Sequence, residues 1–104
     1  MINYYIKQNN PVSIREVVYL KDIENYTRFH FKDGSSFISS TTLKKHESAL
    51  PELTFLRVNR STLINAIYIK KIVNKNRTNF IRMKNGMEIR VSRRRQQSLE
   101  KFSI

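Results

Sequence analysis

The chain has 104 residues, 39% of them hydrophobic and 11% aromatic, with no cysteine and a formal net charge of +12. A chain of this length buries roughly two-thirds of its unfolded surface, enough for one unstapled domain over residues 1–104, and it lacks the thiols for a disulfide framework, cysteine-ligated zinc or a thiol nucleophile. Two glycines and two prolines exclude collagen-like and linker chains, no apolar run reaches 18 residues, and Met1–Asn10 has no signal-peptide core, which points to a basic cytoplasmic domain with no membrane partner.

In chain order, Tyr4–Lys7 and Glu16–Asp22 read as strands. Thr27–Lys32 and Ser36–Ser39 flank Asp33-Gly34, a pair that predicts a type I′ hairpin. Within Tyr26–Phe31, Arg28 and His30 alternate with Thr27, Phe29 and Phe31, the period of a half-buried strand. Thr42–Leu50 predicts a short helix with Leu43, His46 or Glu47, and Leu50 on one side, ended by Pro51. Leu56–Val58 and Ile67–Val73 read as strands. Asn79–Lys84 and Met87–Val91 flank Asn85-Gly86, a second type I′ signal. A second helix is predicted after Ser92, toward Phe102, with Leu99 and Phe102 three apart. The chain is therefore mostly β with one or two short helices. Its turns use both glycines, so none remains for a phosphate-cradling loop.

The charge is uneven. Residues 1–52 hold seven bases and six acids, whereas residues 53–104 hold thirteen bases and two acids. Half a small domain at net +11 attracts polyanions, because cations docked on phosphates release condensed counterions. The same charge also serves as a solvated, solubilising face. Catalysis is poorly supplied. His30 and His46 lie sixteen residues apart without a zinc-binding pattern, the first on a strand face and the second on a solvated helix. Asp22 and Glu24 read as salt-bridge formers, and Ser61 beside Arg60 has no evident base. The chain reads as no enzyme, with no cofactor and no metal.

Three clusters could touch nucleic acid. Asn25, Tyr26, Thr27 and Arg28 combine groups that donate to phosphate or base edges; equally, Tyr26 is core and Asn25 only makes the turn. In Arg57-Val58-Asn59-Arg60-Ser61, inward Leu56 and Val58 put Arg57 and Asn59 outward, with the geometry to meet guanine and adenine. Arg57 alternatively pairs with a backbone carbonyl or Glu52. Arg93, Arg94 and Arg95 fall where the second helix would start, and the macrodipole disfavours cations there by roughly 0.3–1 kcal/mol each. A docked phosphate removes that conflict; otherwise these are solvated arginines at a frayed end.

Phe55-Leu56-Arg57-Val58-Asn59-Arg60-Ser61-Thr62-Leu63-Ile64-Asn65, with Ile69 four residues on, resembles the F-x-R-V-H-R-S-Y-L-V-N-x-x-x-I signature of the LytTR DNA-binding domain. Val17–Leu20, Asn25-Tyr26, Thr42-Leu43 and Val91–Arg94 resemble that family's flanking segments in order and spacing, so the similarity spans about residues 12–102. The resemblance implies an elongated stack of small antiparallel sheets whose loops enter successive major grooves. It further implies a bacterial transcription regulator domain, the output half of a two-component response regulator. Its partners would be duplex DNA with paired direct repeats, and a receiver domain in cis or a second copy on DNA. Asn59 stands where the signature has His, Thr62 where Tyr is usual, Lys21 where Glu is common, and Glu24 near a turn position that is often Gly. These departures bear on base preference.

On this reading Arg60 and Arg94 contact base edges, while Arg57, Arg93, Arg95, Lys70 and Lys71 contact phosphate. The principal alternative is an RNA- or ribosome-associated basic β domain, which needs exposed aromatics such as Tyr4, Tyr5, Tyr26 or Tyr68 for stacking on unpaired bases. A module for acidic proteins is a third reading.

Overall fold

The computed structural model describes residues 3–7 and 10–101. Strands β1 (Asn3–Lys7) and β2 (Asn10–Ser13) form a two-stranded sheet. Strands β3 (Val17–Ile23), β4 (Tyr26–Phe31), β5 (Ser36–Ser39), β6 (Phe55–Asn59) and β7 (Thr62–Asn65) form an antiparallel sheet in the order β5-β4-β3-β7-β6. Strands β8 (Ile69–Lys75), β9 (Thr78–Met83) and β10 (Glu88–Arg90) form a third, in the order β10-β9-β8. Helix α1 (Leu43–Ala49) links β5 to β6. The stack is elongated, 44 × 26 × 22 Å, as the family resemblance implies.

The five-stranded sheet is buried on both faces near its centre. Val17, Leu20, Phe29, Phe55 and Leu63 pack under α1 with Leu43 and Leu50. Val18, Leu56, Val58 and Ile64 pack on the other side with Ile81, Met83, Ile89, Val91 and Leu99. Adjacent residues such as Leu63 and Ile64 thus serve opposite cores, and all four residues of β7 are buried. An unalternating run of this kind gives no strand period, so β7 escapes the sequence reading. Asn65, fully buried, closes β7: its Nδ2 donates to the carbonyls of Ile14 (3.2 Å) and Val17 (2.8 Å), and its Oδ1 accepts from Ile67 N–H. Ile67, expected in a strand, lies in the 3-10 turn Ala66–Tyr68.

Both glycine hairpins form, with a different turn from the one predicted. Phe31 N–H donates to the Ser35 carbonyl (2.9 Å) and Gly34 N–H to the Phe31 carbonyl (3.0 Å). Met83, Gly86 and Met87 repeat this arrangement. Within these two loops only Gly34 and Gly86 take positive φ, so each is a three-residue turn ending in a left-handed glycine rather than type I′. The preceding side chain decides it. Asp33 Oδ1 accepts from Ser35 N–H (2.9 Å), and Asn85 Oδ1 from Met87 N–H (3.0 Å), which holds that residue out of the left-handed region. The type I′ turn lies elsewhere, at Asn76-Arg77 between β8 and β9, with φ of 51° and 66°.

Helix α1 follows the prediction: Thr42 caps it, accepting from Lys45 N–H, and Leu50 ends it. The second helix does not form as an α-helix. Arg93–Lys101 is a 3-10 helix, begun by Arg95 N–H donating to the Ser92 carbonyl (3.0 Å). Leu99 is buried against β6 and the third sheet, and Phe102 lies outside the described residues.

His46 is not on a solvated face. It is 1% exposed, bound to Tyr4 Oη through Nδ1 (2.6 Å) and to Ser39 Oγ through Nε2 (3.0 Å). It packs edge-on against Phe29. Burial pulls its pKa down to about 4 from 6.5. The folded state holds it neutral, so its contribution is present above pH 6.5 and is lost as pH falls toward 4. Thermal melts between these pH values should show stability falling by on the order of 2–3 kcal/mol. His46→Leu should remove most of that slope while lowering stability at neutral pH.

Candidate nucleic-acid interface

The site is built around the β6–β7 turn. Asn59 Oδ1 accepts from Ser61 N–H (2.9 Å) and Oγ (3.2 Å), and Asn59 Nδ2 donates to the Arg90 carbonyl (2.8 Å). Arg57 folds beneath the turn: Nε donates to the Asn59 carbonyl (2.9 Å), Nη2 to the Arg60 carbonyl and Nη1 to Glu47 Oε1 (2.7 Å). Its side chain is only 12% exposed. Strand alternation puts Arg57 off the core, but the bulge between Arg57 and Asn59 and the overlying Glu47 enclose it. The expected outward Arg57 is therefore corrected to one bonded within the fold, and its carboxylate partner is Glu47 rather than Glu52. Asn59 is likewise occupied by the turn it shapes. Arg60 at the tip is exposed, with no ion pair or hydrogen bond from its side chain among the described residues.

Backbone bonds join this turn to the other two clusters. Asp22 N–H donates to the Ser61 carbonyl (2.8 Å), and Lys21 Nζ reaches Ser61 Oγ (3.0 Å) and Thr62 Oγ1 (3.3 Å). The β3–β4 turn, Glu24-Asn25, therefore opens at the same end of the sheet. On the far side Ser92 N–H donates to the Val58 carbonyl (2.9 Å), so Arg93–Arg95 emerges beside Asn59. Arg93 and Arg94 are exposed and unpaired among the described residues, while Arg95 pairs with Glu47 at 3.6 Å. Glu47 thus ties α1 to two of the clusters.

The first cluster divides. Asn25 is exposed and Tyr26 is 51% exposed, so Tyr26 is not core. Thr27 points inward, fully buried, its hydroxyl donating to the Thr41 carbonyl (2.8 Å); it is corrected to a structural residue. Arg28 lies along the outer sheet face toward Ser36 Oγ (3.2 Å), away from the turns. Near it, His30 stacks on Tyr19 with centroids 4.2 Å apart, and burial and the Arg28 charge lower its pKa. Lys70 and Lys71 are exposed but start β8 beside Tyr68, four residues and about 13 Å back from the far end of that strand. Among the described residues neither side chain bonds to a residue of the three clusters. Asp22 and Glu24, expected as salt-bridge formers, pair with no cation among the described residues.

Arg90, Lys21 and Glu47 belong to the site and were not legible as such. Arg90 is one base among many on a strand, and the other two act through partners distant in sequence. Among the described residues no three His, Asp or Glu side chains converge as metal ligands, and no helix is long and apolar enough to cross a membrane.

A family model of the LytTr DNA-binding domain matches residues 7–103. No curated protein matches the chain. Among solved structures, a LytTr DNA-binding domain from Bacillus cereus, taken from a protein described as a methyl-accepting/DNA response regulator, superposes with a TM-score of 0.82. The two are 23% identical, and the match covers 98% of this chain and 97% of that one. At that identity the likeness bears on the fold.

Two stability changes test the turn geometry. Arg57→Ala should destabilise the domain by about 1–3 kcal/mol in denaturant titration, since it strands two carbonyls and Glu47. Glu24 holds φ 56°, so Glu24→Gly should stabilise by up to about 1 kcal/mol, left-handed strain relieved outweighing the entropy of the unfolded chain.

Proposed function

The chain belongs to the LytTr DNA-binding domain family, shown by the match over residues 7–103, and from this we propose that it reads specific sequences in double-stranded DNA as a transcription regulator domain. The family is one of DNA binders rather than enzymes. The observation that carries the finer reading is the sorting of cations at one end of the stack. Arg57 and Asn59 are spent inside the fold and Arg95 is tied to Glu47, while Arg60, Arg93 and Arg94 are exposed and uncommitted. Turns held by internal hydrogen bonds present a guanidinium without first having to order the loop, which favours two-pronged recognition of guanine.

In this reading Arg60 and Arg94 reach base edges in successive major grooves, and Arg93 neutralises phosphate. Asn25, Tyr26 and the Ser61 hydroxyl line the backbone path, and Arg57 acts as a positioning residue. The site is a pair of direct repeats, filled by two copies or by one regulator whose receiver domain is in cis, in the cytoplasm. An RNA-stacking role has little support. Tyr4 is bonded to His46, Tyr68 donates to the Arg15 carbonyl, and Tyr26 alone of the described candidates is broadly exposed.

Selection from random duplexes should enrich a short element occurring twice in one orientation at fixed spacing. On that duplex, Arg60→Ala and Arg94→Ala should each cost about 1–3 kcal/mol and relax preference at one base pair. Unchanged affinity and preference in both variants would refute the assignment; tighter binding to single strands would favour RNA.

A further inference from the structure

Asn76 and Arg77 make the two-residue turn between β8 and β9, both with positive φ. The favoured second residue of such a turn is glycine, and a side chain there carries a left-handed penalty. Strain of this kind persists where the rest of the fold imposes it, often at a functional position. Arg77 gains nothing internal in return: it is exposed and makes no ion pair or hydrogen bond among the described residues. Its neighbour differs, since the Lys75 ammonium pairs with Glu88 at 2.7 Å and sits over the Phe80 ring.

The topology decides where Arg77 points its charge. Strands β8 and β10 run one way and β9 the other. Strand β10 stops at Arg90, opposite Phe80, and Val91 N–H donates to the Asn79 carbonyl (2.9 Å). The hairpin continues past that level through Thr78 to the turn, roughly 7 Å at 3.4 Å per residue. Arg90 is also where the third sheet touches Asn59. The tip therefore sits about two residues beyond the level at which the third sheet meets Asn59, next to Arg60 in the chain. The acidic residue of this hairpin's cross-strand cluster, Glu88, is held by Lys75 and Arg82.

We propose that Arg77 is a fourth DNA contact, a cation on the phosphate backbone flanking the segment met by Arg93 and Arg94. The proposal rests on the reading that this end faces duplex DNA. A lone guanidinium on a convex tip carries charge without neighbours that fix it for base recognition, so phosphate is the chemistry it fits.

The test is Arg77→Gly, which gives the turn its favoured Asn-Gly pair and should raise the thermal unfolding midpoint. Wild type and variant are titrated with the selected duplex and with a random-sequence duplex between 50 and 200 mM salt. Affinity should fall about three- to tenfold on both duplexes, with the salt slope shallower by about one, and Arg77→Lys should restore the slope. Wild-type affinity and slope in Arg77→Gly, alongside a loss in Arg94→Ala, would overturn the proposal and leave the DNA reading standing. A loss confined to the selected duplex would overturn the phosphate assignment. If neither wild-type binding to duplex nor an effect of Arg94→Ala is seen, the DNA reading itself falls, and this proposal with it.

Discussion

The Arg57 guanidinium is the contact on which the rest of the interface depends. It donates to the carbonyls of Asn59 and Arg60 and to Glu47 from a position almost closed to solvent. Charge-assisted bonds of this kind are shorter and about twice as strong as neutral ones, and a cation this enclosed is costly unless its donors are satisfied. The turn is consequently fixed with its carbonyls inward and the Arg60 side chain outward. Because Glu47 also meets Arg95, helix α1, the β6–β7 turn and the start of the 3-10 helix form one body.

That body explains how a domain with so many like charges keeps its cations apart by role. Arg57, Arg82 and Lys75 have carboxylate partners, and Arg95 shares Glu47. Arg60, Arg77, Arg93 and Arg94 have none among the described residues; Arg60, Arg93 and Arg94 flank the β6–β7 turn, and Arg77 sits at the tip of the third sheet. Their mutual repulsion acts against folding until a polyanion docks. Left-handed Glu24 adds strain at the β3–β4 turn, and left-handed Arg77 at the tip of the third sheet. Local rules are broken there more than elsewhere in the described chain, as expected where binding rather than stability shapes the choice of residue.

Much of this was legible in the sequence, for reasons that also mark its limits. The Asp33-Gly34 and Asn85-Gly86 pairs located two hairpins, because glycine supplies the left-handed residue; the turn class was missed because Asp33 and Asn85 bond forward to residues that composition does not weigh. The hairpin at Asn76-Arg77 was invisible because arginine is not a turn former. Strand β7 was missed because both its faces are buried, and His46 because a polar residue in a core position reads as solvated until Tyr4 from β1 and Ser39 from β5 bond it. The signature from Phe55 to Asn65 marked the β6–β7 turn around which the candidate site is built. It could not separate Arg60, which projects, from Arg57 and Asn59, which hold the turn, since that division comes from a bulge and a carboxylate ten residues upstream of Arg57.

If Arg57 serves recognition through the turn while Arg60 touches DNA, the two residues act on affinity as one unit. A double-mutant cycle on affinity for the selected duplex tests it most directly, using Arg57→Ala, Arg60→Ala and the pair. Strong coupling is expected: Arg57→Ala weakens binding in the wild-type background and far less once Arg60 is already alanine. Equal losses in both backgrounds would mean that Arg57 contributes independently of the turn it supports, and would contradict that expectation.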